Sequence, residues 1–147
     1  MARVELHLPE TLPFTTELRL RASDINYAGH LGNDHLLSLL QEARIRFLAH
    51  HGLKEMQMFG LGLVITDVAA VYESEAFGGE LLRIGVAVTD FNRYGCDFIF
   101  RVREASTGRA VAQAKTGMVF FDYKRRKVQP VPEQFRALME PEDQSVG

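Results

Sequence analysis

The sequence predicts an α+β domain in which a curved antiparallel sheet of about five strands lies around one long central helix. Three features lead there. Only one segment, starting at Asn33 or Asp34, sustains helical apolar spacing over many residues. One strand-like run precedes it, and four more follow, divided by turn residues. Apolar residues surround most of that helix, so it needs a sheet to cover it.

The first strand is read over Leu12 to Arg21, where Phe14-Thr15-Thr16-Glu17-Leu18-Arg19-Leu20-Arg21 passes into alternation of apolar and charged residues. Ser, Asp, Asn and two glycines then break the pattern before Asn33 or Asp34 offers a helix cap. Leu36, Leu37, Leu40, Ala43, Ile45, Phe47 and Leu48 leave only Gln41, Glu42, Arg44 and Arg46 as a polar strip, and His50-His51-Gly52 ends the helix. Leu63 to Glu73 is rich in valine, and Phe77-Gly78-Gly79-Glu80 separates it from Leu81 to Phe91, with which it is expected to pair. Cys96 to Glu104 and Arg109 through Phe121 complete a meander, joined by Ser106-Thr107-Gly108. Val128-Gln129-Pro130-Val131-Pro132 is expected not to extend the sheet, since proline lacks the donor, and the tail from Glu133 is at most a short helix. Such a sheet keeps an open edge. Continuing it into a second subunit protects that edge, so a homodimer is expected, with a dimer of dimers (a homotetramer) as its extension.

At 147 residues the chain suits one domain, residues 1–147, with a core over about 12–135. Apolar residues make up 46% and charged residues 24%, which is ordinary globular usage. A net charge of -2 gives no general attraction for nucleic acid or an acidic membrane. Cys96 is the single cysteine, so there is neither an internal disulfide nor a cysteine-rich zinc site. Met1-Ala2-Arg3-Val4-Glu5-Leu6 places charges where a signal peptide needs an apolar stretch, and no apolar run approaches membrane-spanning length. A reducing, cytoplasmic setting without membrane insertion is expected.

Asp24-Ile25-Asn26-Tyr27-Ala28-Gly29-His30-Leu31-Gly32-Asn33, together with Gln41-Glu42-Ala43-Arg44, resembles the signature of hotdog acyl-CoA thioesterases, the 4-hydroxybenzoyl-CoA thioesterase-like group. In that group an acidic pair precedes GHVNN, and EAR follows in the helix. Phe120-Phe121-Asp122, with Val131-Pro132 further on, resembles the family's last strand and exit. The resemblance implies the hotdog fold and hydrolysis of an acyl-CoA or acyl-carrier-protein thioester. Coenzyme A or phosphopantetheine would arrive as part of the substrate, and no separate cofactor is expected.

The resemblance also implies roles. A thioester needs an activated water and a donor aimed at the developing oxyanion. The backbone N–H of Asn33, at the helix start, matches the oxyanion donor. Asn26 stands where the family's carboxylate stands, and an amide cannot accept a proton at neutral pH. Asp24, two residues earlier and about 7 Å away if the backbone is extended, is a substitute carboxylate. Histidine is the side chain whose ordinary pKa lies nearest neutrality, and His30 is assigned water activation or thioester orientation. Glu42 is a further alternative acid, but it lies about 13 Å of helix rise beyond Asn33 and pairs naturally with Arg46.

Tyr27, Gly29, Leu31, Phe59 and Arg93 are expected to bind substrate. Met56, Met58, Phe59 and Leu61 suit either an acyl tunnel or the core. Arg93 and Lys124-Arg125-Arg126-Lys127 are the local basic features, readable as anion contacts or as solvated turns. The histidines have no metal-ligand spacing, so no metal is expected. Two other activities stay open: an acyl-thioester-binding module without hydrolysis, motivated by Asn26, and enoyl-thioester hydration, in which Asp24, Asn26 and His30 approximate Asp-x-Asn-Pro-x-His.

Overall fold

The computed structural model describes residues 4–140. Expectations for Met1 to Arg3 and for residues 141–147 lie outside the described residues. Six long elements, five strands and one helix, are present in the predicted order. Strand β1 is Phe14–Arg19, helix α1 is Asn33–His50, and strands β2 to β5 are Gly62–Tyr72, Leu81–Thr89, Gly95–Glu104 and Ala110–Asp122. A three-residue strand β6, Lys127–Gln129, and a short helix α2, Glu133–Met139, follow.

Alternation explains the strands. Along β3, Leu82, Ile84 and Val86 are fully buried while Arg83 is exposed, the period-two pattern of a sheet with one covered face. Opposite them in register, Val102 faces Ile84, Phe100 faces Val86 and Phe98 faces Val88. Helix α1 lies on this face with Leu36, Leu39, Leu40, Ala43, Phe47 and Leu48 buried. The Phe47 ring meets Phe14 and Phe98 edge-on, at centroid distances of 5.6 and 6.0 Å. Each such large side chain contributes about 1.5–3 kcal/mol through burial.

Three expectations need correction. Strand β2 does not pair with β3. All neighbours are antiparallel and run β1-β3-β4-β5-β2, so β2 pairs with β5 and the link from Glu73 to Glu80 crosses one end of the sheet. The physical reason is α1, which spans the covered face and delivers the chain to the edge opposite β1. Secondly, Val128 and Gln129 do join the sheet, pairing with Phe121 and Phe120. The turn after Asp122 is tight enough to return the chain before Pro130 removes a donor.

Thirdly, α1 is not covered all round. Leu37 and Ile45 are exposed, whereas Arg44, assigned to the polar strip, is buried. The buried Arg44 guanidinium is paired: its Nε donates to the Glu55 carboxylate. Removing one partner of a buried pair strands the other charge without water. Glu55→Ala is therefore expected to destabilise the fold by about 3 kcal/mol in urea denaturation, while Glu42→Ala, on the exposed Glu42–Arg46 pair, costs under about 1 kcal/mol.

Candidate active site

The loop between β1 and α1 is built by its own short side chains. Ala22–Asp24 form a single 3₁₀ turn, and Ile25 bridges to Leu31, closing a small loop with Tyr27, Ala28 and Gly29 at its tip. Asn26 makes an Asx turn: its Oδ1 accepts from the Ala28 N–H at 2.9 Å, and its carbonyl accepts from the Gly29 N–H at 3.0 Å. Gly29 has φ +88°, where a β-carbon is strained. The Asn26 N–H then donates to the His30 carbonyl at 2.9 Å, and the Leu31 N–H donates to the Ala76 carbonyl at 2.8 Å.

The helix N-cap is Gly32, one residue earlier than expected, so Asn33 is the first helical residue. A glycine has no side chain to cap with, and no side-chain cap bond forms. The space is also tight: a β-carbon on Gly32 would lie 3.0 Å from Asp34 Oδ1 and 3.5 Å from Asn26 Cβ. The first-turn N–H groups and the positive end of the helix dipole are thus left for another acceptor.

Beside this helix start is a cavity of about 310 Å³, within the range of small-ligand sites. His30, Leu31, Asn33 and Leu36 form one wall, and Tyr72, Val111, Ala112 and the segment Glu73 to Ala76 form the other. His30 Nδ1 lies 3.3 Å from the Leu31 carbonyl, which only accepts. That places the proton of the neutral ring on Nδ1 and leaves Nε2 as an acceptor. A larger cavity, about 720 Å³, lies at the other end of α1 beside His50 and His51. There the helix presents carbonyls, which repel an oxyanion.

Asp24 and Asn26 are absent from the cavity lining. Ile25 between them is extended, as expected, but Asp24 ends the 3₁₀ turn, and its carboxylate folds back onto Arg21. Asp24 Oδ2 accepts from the Arg21 N–H at 2.8 Å, and the His35 ring lies 3.8 Å from Oδ1. Burial pushes this carboxyl up, but the Arg21 hydrogen bonds and the charges of Arg21 and His35 outweigh it and hold it below 3.8.

Other candidates are also occupied or remote. Glu42 pairs with Arg46 at 3.2 Å. Tyr27 is fully exposed at the loop tip, Phe59 has φ 56° in an exposed turn, and Arg93 lies in the β3–β4 turn over the Tyr94 ring. Of the tunnel candidates, Met58 is buried in the core and Met56 is exposed. Lys124 to Lys127 lie exposed at the β5–β6 turn. Burial, then the Asp97 charge, pushes the Cys96 thiol up to about 12, so it offers no thiolate. Among the described residues no three His, Cys, Asp or Glu side chains converge to hold a metal ion. The Glu73 to Ala76 wall was missed by sequence reasoning, because only the crossing link brings it to the helix start.

A single curved antiparallel sheet over one long helix, with a cavity at the helix N-terminus, defines a hotdog protein. The chain belongs to the thioesterase-like superfamily, which matches residues 20–139. It is similar in structure to a 1,4-dihydroxy-2-naphthoyl-CoA thioesterase from Synechocystis (TM-score 0.79, 19% identity, covering 86% of this chain and 94% of that one). A mutant 4-hydroxybenzoyl CoA thioesterase complexed with 4-hydroxybenzoyl CoA is comparable (TM-score 0.78, 21% identity, 86% and 98% covered). The 12:0-ACP thioesterase of Umbellularia californica has TM-score 0.74 and 17% identity, with 84% of this chain and 48% of that one covered. At such identities the likeness shows the shared fold. Among curated proteins none matches. No helix among the described residues is long and apolar enough to cross a membrane.

The Asp24 linkage has a definite sign. A carboxyl whose folded pKa is depressed contributes stability above its unfolded value, and that contribution is lost as pH falls through the folded value. In denaturant titrations across pH, wild type is expected to exceed Asp24→Asn in stability above pH 3.8, and the gap should close as pH falls below it.

Proposed function

We propose that the protein hydrolyses an acyl thioester carried by coenzyme A or by the phosphopantetheine of a carrier protein, with no separate cofactor. The observation that carries this reading is the cavity in which the uncapped first turn of α1 faces His30. In the proposed reaction the thioester carbonyl oxygen lies at the Asn33 N–H. Charge developing there is met by a fixed donor and the helix dipole rather than by reorganising water. His30, with Nε2 as acceptor, orients the thioester or the attacking water. Apolar Leu31, Leu36 and Val111 of the same cavity suit the acyl group. Asp24 and Asn26 support this arrangement by shaping the loop: one anchors Arg21 and His35, the other closes the turn before Gly29.

A second reading, an acyl-thioester-binding module without turnover, is favoured by Asn26, whose amide oxygen is committed to the Ala28 N–H. A panel of short, long and aromatic acyl thioesters assayed for thiol release separates the two. Hydrolysis predicts release, and binding without release would sink it. Asn26→Asp retains the acceptor for Ala28, and in the hydrolytic reading it should shift kcat in either direction by roughly tenfold or more, since a new negative charge reaches the loop.

Assembly into a homodimer is part of the proposal. Strand β2 is the long outer edge, and Ile65, Val68 and Tyr72 on its helix-facing side are exposed, as are Leu37 and Ile45 of α1. Pairing of β2 with a second copy would cover the edge and this apolar strip. Light scattering should give a dimer mass for the wild type and a monomer mass for Val68→Lys; a monomeric wild type would remove this part of the proposal.

A further inference from the structure

Hydrolysis at this cavity, the reading on which the following rests, lacks a proton acceptor of the carboxylate type within the loop. The Asp24 carboxylate is taken by Arg21 and faces His35, Asn26 is an amide, and Glu42 is paired with Arg46 on the exposed side of α1. The opposite wall of the cavity holds two further carboxylates, Glu73 and Glu75, on the link that crosses the sheet end. From their placement we infer that Glu75 is the general base, a role no loop residue fills.

The backbone on both sides of Glu75 is pinned. Its own carbonyl accepts from Arg109 Nη2 at 3.1 Å, and the next carbonyl, that of Ala76, accepts from the Leu31 N–H at 2.8 Å. The second bond joins this wall directly to the residue after His30. Arg109 is itself held, donating to both Glu80 oxygens at 2.9 and 3.1 Å and to Ser74 Oγ at 3.3 Å. The Glu75 carboxylate makes no hydrogen bond or ion pair among the described residues, so its lone pairs are available to water. Ser74 is no competing nucleophile, because its hydroxyl donates to the Ala110 carbonyl. Glu73 also touches the cavity, but it follows Tyr72, whose ring is on the helix side of β2. Glu73 also borders a second cavity, beside the paired Val71 and Gln113 on the opposite face of the sheet, whereas the chain has left β2 before Glu75.

In the step assigned to Glu75, a water oxygen bonds to the thioester carbonyl carbon while the carboxylate takes one of its protons. The carbonyl π electrons move onto oxygen, held by the Asn33 N–H. Collapse of that adduct re-forms the carbonyl and breaks the carbon–sulfur bond, and the proton passes from Glu75 to the leaving thiolate. The products are a carboxylic acid and a thiol, and Glu75 is again ionised. With Glu75 as base, His30 is left the orienting role.

The test uses the full chain and the thioester that wild type cleaves best. Glu75→Gln should lower kcat about 100-fold with KM little changed, and the acid limb of the kcat–pH profile should disappear. Glu75→Asp should restore part of kcat, and formate added to Glu75→Ala should restore turnover, which a merely structural role would not allow. The assignment is overturned if Glu75→Gln stays within twofold of wild type, if only KM moves, if formate restores nothing, or if Glu73→Gln alone produces the loss. A wild type that releases no thiol from any thioester overturns the hydrolytic reading first, and with it this role.

Discussion

Burial of one helix against one sheet is the constraint on which the rest of this molecule depends. Leu36, Leu40, Ala43, Phe47 and Leu48 can leave water only beneath a sheet wide enough to cover them, and Phe98 and Phe100 supply the facing surface. A helix of 18 residues spanning that face cannot return the chain to the strand it left. β2 therefore forms the edge opposite β1, and the strands between are filled later, by β3, β4 and β5. The exposed strip on β2 and α1 is the other side of the same fact, since one helix covers only part of a five-strand face.

That constraint also sets the chemistry. The helix starts inside the layer between loop and sheet, with a glycine as its cap, and this is why its first-turn donors meet a cavity rather than a side-chain oxygen. A polar side chain at Gly32 would satisfy a donor and fill space beside Asn26 and Asp34 at once. The loop's charged and amide groups are spent on building it: Asp24 on Arg21, Asn26 on Ala28. Stability of the loop and reactivity of the loop draw on the same lone pairs, and here the hydrogen-bond geometry assigns them to stability.

The link from Glu73 to Glu80 connects the two arguments. Because β2 and β3 are not neighbours, this link must run across the ends of other strands, where Arg109 ties it through Glu80, Ser74 and the Glu75 carbonyl. An ordinary hairpin between β2 and β3 would have carried these residues away from the helix start. The crossing brings Glu73 and Glu75 to the cavity that His30 also lines.

Local patterns were enough for much of this. Period-two alternation in Leu82, Ile84 and Val86, helical spacing from Leu36 to Leu48, and the glycine- and asparagine-rich stretch before Asn33 established one helix among antiparallel strands and placed the loop at the helix start. Those features depend on residues near one another in the chain, so composition and spacing report them. Burial of Arg44, the pairing of Lys127–Gln129, the neighbours of β2 and the second wall of the cavity depend on residues far apart. Arg44 looks like a surface charge until Glu55 is folded against it, and Glu75 looks like a linker residue until Leu31 bonds to Ala76. By itself the sequence determined the long elements and one side of the site; the tertiary structure decided the strand order, the short strand β6 and the opposite side, because non-local pairing leaves no periodic trace in a chain.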